Sequence, residues 1–286
     1  MKSVWFVALA LALAPLMATA AGPREVRKQV ESSMLVTGEI EIDAQGRVSN
    51  LLLDKPDKLP GGIAEFVKGQ VLQWTFEPVL SDGRPTPARS RMSVRVVGKR
   101  IDDDSVTIAI RNAIFPGPAP GEGESVTHVA MKPPSYPMPA ARGGAQGTAY
   151  LVLKISRDGT VADAIVEQVN LRVVASEAQM TKLRDMFANA SLTAARRWTF
   201  KPPTRGEGAA EEFWSVRVPV DYTMDSGRRP TGYGQWQAYI PGPRQTIPWS
   251  EDAEAAGFSP DALAEGGVYM AGAESGLRLL TALGED

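Results

Sequence analysis

Pro134-Ser135-Tyr136-Pro137, then Asp158-Gly159, then Ala194-Ala195-Arg196-Arg197-Trp198-Thr199-Phe200-Lys201-Pro202, then Trp214-Ser215-Val216-Arg217-Val218 follow one another along the chain, and this stretch sets its fold. Leu151, Leu153 and Ile155 alternate with more polar or smaller neighbours, the period of a half-buried strand, and Asp158-Gly159 supplies the left-handed turn that folds it back into Val161 to Val169. Ser176 followed by Gln179 forms a reciprocal helix cap, after which Met180, Leu183, Phe187, Ala190, Ala194 and Trp198 recur at helical spacing. Arg196 and Arg197 suit the negative end of the helix dipole, and Lys201-Pro202-Pro203 cannot continue it. Trp214, Val216, Val218, Val220 and Tyr222 alternate again. The result is a β-β-α-β unit, a small antiparallel sheet covered on one face by a helix.

The order of these pieces resembles the C-terminal domain of TonB-type energy transducers, over Pro134 to Tyr222. Where that family usually has Ser-Ser-Gly after the second strand, this chain has Gln168-Val169-Asn170-Leu171, followed by a longer helix. The resemblance implies that the Tyr136-Pro137 lead-in and the last strand, Phe213 to Tyr222, face a partner. Phe213, Ser215 and Arg217 are its implied contact residues, and the implied partner is a TonB-dependent outer-membrane receptor that adds a short segment to the strand edge through main-chain hydrogen bonds. A second reading of Tyr136-Pro137 stands beside this one: a prolyl-stiffened aromatic that closes the end of the sheet.

Upstream, the pattern recurs in shorter form. Val36, Gly38, Ile40 and Ile42 alternate, Gln45-Gly46 makes a turn, Val48 to Leu53 returns, and Ile63, Phe66, Val67 and Val71 lie on one side of a helix weakened by Gly69. Trp74-Thr75-Phe76-Glu77-Pro78 then repeats the later Trp-Thr-Phe-Lys-Pro, and Ser93-Val94-Arg95-Val96 repeats Ser215 to Val218 at nearly the same spacing. The expected architecture is therefore α+β, a tandem of β-β-α-β units in which Trp74 and Trp198 are core anchors and Val94 and Val96 match Val216 and Val218. Ala113-Ile114-Phe115-Pro116-Gly117-Pro118 parallels Ala238-Tyr239-Ile240-Pro241-Gly242-Pro243, each after an alternating stretch. This assigns each unit a fourth strand, Val106 to Ile110 in the first and Tyr233 to Ile240 in the second, the latter covering the edge of Phe213 to Tyr222, where Pro219 already lacks a donor.

The expected boundaries are a signal peptide at 1–21, a first unit at 22–115, a Pro/Gly-rich linker at 116–132, a second unit at 133–243 and a tail with short helices at 244–286. Lys2, an apolar run from Val4 to Met17 and Ala18-Thr19-Ala20-Ala21 have the layout of a cleavable secretory leader and predict a periplasmic protein without a membrane span. Retention of that segment as an inner-membrane anchor is the alternative. No His precedes residue 128 and Pro23 is the only proline between residues 16 and 55, so the anchor histidine and proline-rich spacer of TonB itself have no counterpart.

The chain has 286 residues, 43% hydrophobic and 22% charged, with a net charge of −2, which gives no electrostatic case for nucleic acid. With no cysteine and the single histidine His128, thiolate and multi-histidine metal sites are excluded. Asp102-Asp103-Asp104 reads as a solvated turn rather than a calcium site, and no phosphate loop, His-Glu-x-x-His or Gly-x-Ser-x-Gly occurs. The sequence thus predicts no cofactor and no enzyme. It points to a protein-contact role in energy-coupled outer-membrane transport or, as the alternative, to a periplasmic binding module for another envelope protein or a cell-wall component.

Overall fold

The computed structural model describes residues 22–100, 105–116, 121–224, 233–249, 259–263, 266–271 and 276–283. The leader, Asp102 to Asp104, part of the linker and part of the tail expected to hold short helices lie outside them. In chain order the elements are α1 (Pro23–Arg27), β1 (Glu31–Ile42), β2 (Val48–Leu53), α2 (Ile63–Val71), β3 (Leu80–Ser81), β4 (Arg84–Pro85), β5 (Ala88–Arg100), β6 (Val106–Ile114), β7 (Thr127–Ala130), α3 (Met138–Arg142), β8 (Gly147–Ser156), β9 (Val161–Leu171), α4 (Glu177–Ala195), β10 (Thr199–Lys201), β11 (Phe213–Tyr222), β12 (Gln237–Tyr239) and β13 (Tyr269–Met270). This is an α+β architecture of antiparallel sheets with few helices.

The second sheet runs β13-β11-β8-β9, and the first runs β12-β1-β5-β6 with β2 on β1. Helix α4 starts at the Ser176–Gln179 capping box and buries Met180, Phe187, Ser191 and Ala195 against the second sheet. Ala149, Leu151, Leu153 and Ile155 of β8 and Val216 and Val218 of β11 face it. Trp198, 3% exposed, closes that core just past the helix and donates its indole N–H to the Lys132 carbonyl at 2.8 Å. In the first sheet, α2 presents Ile63, Val67 and Val71, and Trp74, 4% exposed, takes the place just past the helix.

The two turn glycines show why the Trp-Thr-Phe motif follows each helix. Gly159, at φ +81°, receives the Phe200 amide on its carbonyl at 2.8 Å, and a Cβ there would stand 2.0 Å from the Phe200 oxygen. Gly46, at φ +78°, receives the Phe76 amide at 2.7 Å, with the same 2.0 Å approach. The tight turn and the return of the chain after the helix are therefore one junction, and only glycine fits it.

The valine match differs from its sequence reading. Val94 pairs Val36 of β1, whereas Val216 pairs Leu153 of β8. Counted from the turn glycines, Val36 lies farther from Gly46 than Leu153 does from Gly159. Val94 thus stands where Val220, opposite Ala149, stands in the second sheet. A period of two lets similar tetrapeptides settle in registers that keep the same faces buried, so local identity does not fix register.

Strand β6 pairs β5, as expected of a fourth strand. Tyr233 to Ile240 does not pair β11, which corrects the sequence reading. Gln237–Tyr239 pairs with Ser33–Glu31 of β1, and Ile240 exchanges two main-chain hydrogen bonds with Leu171 of β9. Two free edges explain the choice: β2 reaches only Gly38 to Ile42 of β1, and the outer edge of β9 is otherwise open at its end. Successive residues of an extended strand direct their main-chain groups to opposite sides, so one short segment satisfies both edges and joins the sheets.

Neither core is built from one continuous segment. Val26 of α1, fully buried, belongs to the core under α4, while Leu279 near the other end belongs to the core under α2. There Leu280 donates to the Thr75 carbonyl at 2.8 Å and Glu77 to the Arg278 carbonyl at 2.9 Å. Leu279 also forms an isolated antiparallel bridge with Phe76. Ser259-Pro260-Asp261 opens a single 3-10 turn over Pro260–Ala262.

Candidate functional site

Phe213, Ser215 and Arg217 lie on β11, and the state of the outer edge of that strand follows from strand parity. The Ser215 carbonyl accepts the Ala271 amide at 2.8 Å, and Val216 and Arg217 pair with Met270 and Tyr269 of β13. Odd-numbered residues of β11 therefore direct their main-chain groups outward, away from β8. Pro219 is one of them, so its missing N–H falls on the outer edge, where proline is tolerated. Strand β13 covers this edge over two residue pairs only, while β8 pairs β11 along its whole length from Phe213 to Tyr222.

Phe213, Ser215 and Arg217, two residues apart, share one face of the strand. Phe213 lies half-buried with the Lys154 ammonium 4.0 Å from its ring centroid. Ser215 accepts the Trp249 indole N–H on its hydroxyl at 2.9 Å. Arg217, 5% exposed, turns inward and donates through Nε to Glu167 at 3.0 Å. Glu167 is itself 1% exposed and also accepts from Arg244 at 2.7 Å. Burial alone would raise the Glu167 pKa, but Arg217 and Arg244 outweigh it and hold the carboxyl below its ordinary value. The carboxylate thereby ties the segment after Ile240 onto β9, helped by the Gln245 amide on the Glu167 carbonyl and the Gly242 amide on the Asn170 side chain.

At the other end of the sheet, Tyr136 stands edge-on to Phe187 and Tyr222, with ring centroids 5.8 and 5.5 Å away, and its hydroxyl donates to the Ala145 carbonyl. Phe187 and Tyr222 are stacked at 4.3 Å. The Tyr222 hydroxyl meets Ser191 at 2.8 Å, and burial pushes its pKa up to about 12. Pro137 precedes α3 and accepts the Ala141 amide on its carbonyl. Tyr136 and Pro137 thus close the sheet end, at the end of β11 opposite Phe213. His128 sits exposed on β7, opposite Phe200 of β10.

Sequence reasoning missed Glu167 and Arg244, and it gave the segment from 269 to 271 no partner. A glutamate within a buried strand was the available signal for the first, since a charge there demands partners. Among the described residues there is no group of three or more His, Asp or Glu placed to hold a metal, and no helix is long and apolar enough to cross a membrane.

An antiparallel sheet of β13, β11, β8 and β9 backed by the one long helix α4 defines a small α+β domain. Residues 132–224 match the family model described as the Gram-negative bacterial TonB protein C-terminal, and this segment belongs to the TonB C-terminal domain family. The chain is 32% identical over 106 residues to Protein TonB of Xanthomonas campestris pv. campestris, covering 37% of this chain and 41% of that protein. It is 30% identical over 92 residues to Protein tonB2 of Pseudomonas aeruginosa, covering 32% and 29%. The chain therefore spans less than half the length of these relatives. The solution NMR structure of the Pseudomonas aeruginosa TonB C-terminal domain aligns at 22% identity over 37% of this chain and 91% of that one, with a TM-score of 0.26.

Proposed function

We propose that this protein is an exported, non-enzymatic member of the TonB type that serves energy-coupled transport across the outer membrane through protein contact in the periplasm. The observation that carries the proposal is the family match over 132–224, whose strand β11 has only a two-residue strand of its own chain on its outer edge. Its partner is an outer-membrane receptor of the TonB-dependent class, and the contact surface is the β11 rim at Phe213 and Ser215 with the Tyr136-Pro137 end of the sheet. Arg217 contributes main chain to this surface, its guanidinium being committed to Glu167. The first sheet with α2 is a second, divergent β-β-α-β unit, supported by the shared junction of turn glycine and Trp-Thr-Phe.

A photo-crosslinking amino acid at Phe213, in cells, tests this reading. The expected product is an adduct with an outer-membrane receptor that depends on the proton-motive force. Absence of any receptor adduct would overturn it. The cover on Ser215 and Arg217 favours a second reading, a periplasmic binding module for another envelope component without energy transduction. That reading expects an adduct with a different envelope component, unaffected when the proton-motive force is collapsed.

A further inference from the structure

A small polar cleft, with about 30 Å³ of room, opens where the two sheets are joined, and residues from three parts of the chain line it. Ser33 and Arg95 come from the first sheet, Thr148, Tyr150, Asn170 and Arg172 from or beside the second, and Gln237, Tyr239 and Asp261 from the later segments.

The charges in this cleft are not equivalent. Arg172 is engaged: it donates to Asp221 and to the Tyr222 carbonyl at 3.1 Å. Asp261, 4% exposed, accepts Asn112 on one oxygen at 2.8 Å and the Tyr239 hydroxyl on the other at 3.0 Å. Arg95 differs, because its hydrogen-bond partner among the described residues is the Ser33 hydroxyl at 3.1 Å, and its buried Nε has none. A guanidinium keeps its charge at every accessible pH and presents a planar fork of donors, so one left facing a neutral hydroxyl calls for an anion. Asn170, Gln237 and Ser33 add neutral polar groups around it.

We propose that this cleft binds a small carboxylate, gripped by the Arg95 fork. The two oxygens of a carboxylate match that fork in bidentate geometry, and the cleft holds little beyond the group bearing it. The carboxylate belongs either to a free small organic acid or to the terminus of a short peptide, and both present the same chemistry to Arg95.

The test is NMR of the full chain with the arginine Nε–H groups observed, titrated separately with acetate, with N-acetylalanine as a minimal peptide terminus, and with inorganic phosphate. Either carboxylate should shift the Arg95 Nε–H resonance saturably, and N-acetylalanine binding tighter than acetate would assign the site to peptide termini. Arg95→Met should weaken binding about ten- to a hundredfold, the factor expected for a lost charge-assisted hydrogen bond. Arg95→Lys keeps the charge but not the fork, and should fall between the two while preserving the fold. No shift at Arg95, a response to phosphate alone, or undiminished carboxylate binding by a folded Arg95→Met chain would overturn the proposal.

Discussion

Trp198 and Glu167 carry the second sheet in different ways. Trp198 contributes apolar area and one indole hydrogen bond to Lys132. Truncating such an aromatic to alanine typically costs about 3 to 5 kcal/mol, so equilibrium denaturation of Trp198→Ala should show a loss of that size. A loss under about 1 kcal/mol would mean that the core does not rest on it. Glu167 acts through charge. Its folded pKa lies below the unfolded one because Arg217 and Arg244 favour the ionised form. The stability it supplies is therefore complete above the ordinary carboxyl range and is lost as pH falls through its folded pKa. Replacing it by glutamine leaves Arg217 buried without its counter-charge, so Glu167→Gln should cost about 3 to 5 kcal/mol at neutral pH. It should also flatten the acid limb of a stability-against-pH curve. An acid limb unchanged by the substitution would show that other carboxyls govern it.

Among elements, the strands and helices that follow a clear period were legible, and their partners were not. Leu151, Leu153 and Ile155 all lie on β8, and Met180 and Phe187 are buried on α4 as their spacing requires. Periodicity reports which face of an element is apolar and is silent about which edge it meets. Tyr233 to Ile240 was therefore assigned to β11 by proximity in sequence, whereas the free edges of β1 and β9 claimed Gln237 to Ile240. Tyr269 and Met270 form a strand of two residues, too short to carry a periodic signal that identifies its partner. That pair occupies the contested rim. The register of Val216 with Met270 directs the Arg217 amide to the Tyr269 carbonyl, while Ala271 donates to Ser215. Ala271→Pro deletes the latter donor, so hydrogen exchange at the Arg217 amide should quicken while the β8 amides keep their protection. The same variant should bind an extended receptor peptide more tightly than the unmodified chain. Unchanged exchange at Arg217 would show that β13 does not guard the rim.

On the scale of the whole molecule, each core borrows from the far end of the chain. Val26 enters the core under α4, Leu279 enters the core under α2, and the segment from Gln237 to Ile240 hydrogen-bonds both sheets. The Asn112–Asp261–Tyr239 chain of hydrogen bonds adds a buried polar tie across the first sheet. A unit expressed as residues 22–115 would expose the surface that Leu279 covers and leave the Ser33 end of β1 without β12. A unit expressed as 133–243 would lose Val26. Buried apolar area and main-chain pairing of this kind make the two sheets interdependent, so the chain should unfold as one cooperative body. Cutting the backbone between Pro116 and Gly121, through an inserted protease site, should then leave two fragments that co-elute on size exclusion and melt in one transition. Each fragment prepared alone should melt lower or fail to fold. Fragments that separate after cutting and each retain the melting point of the intact chain would show that the exchanged ends contribute nothing, and that the two units fold independently.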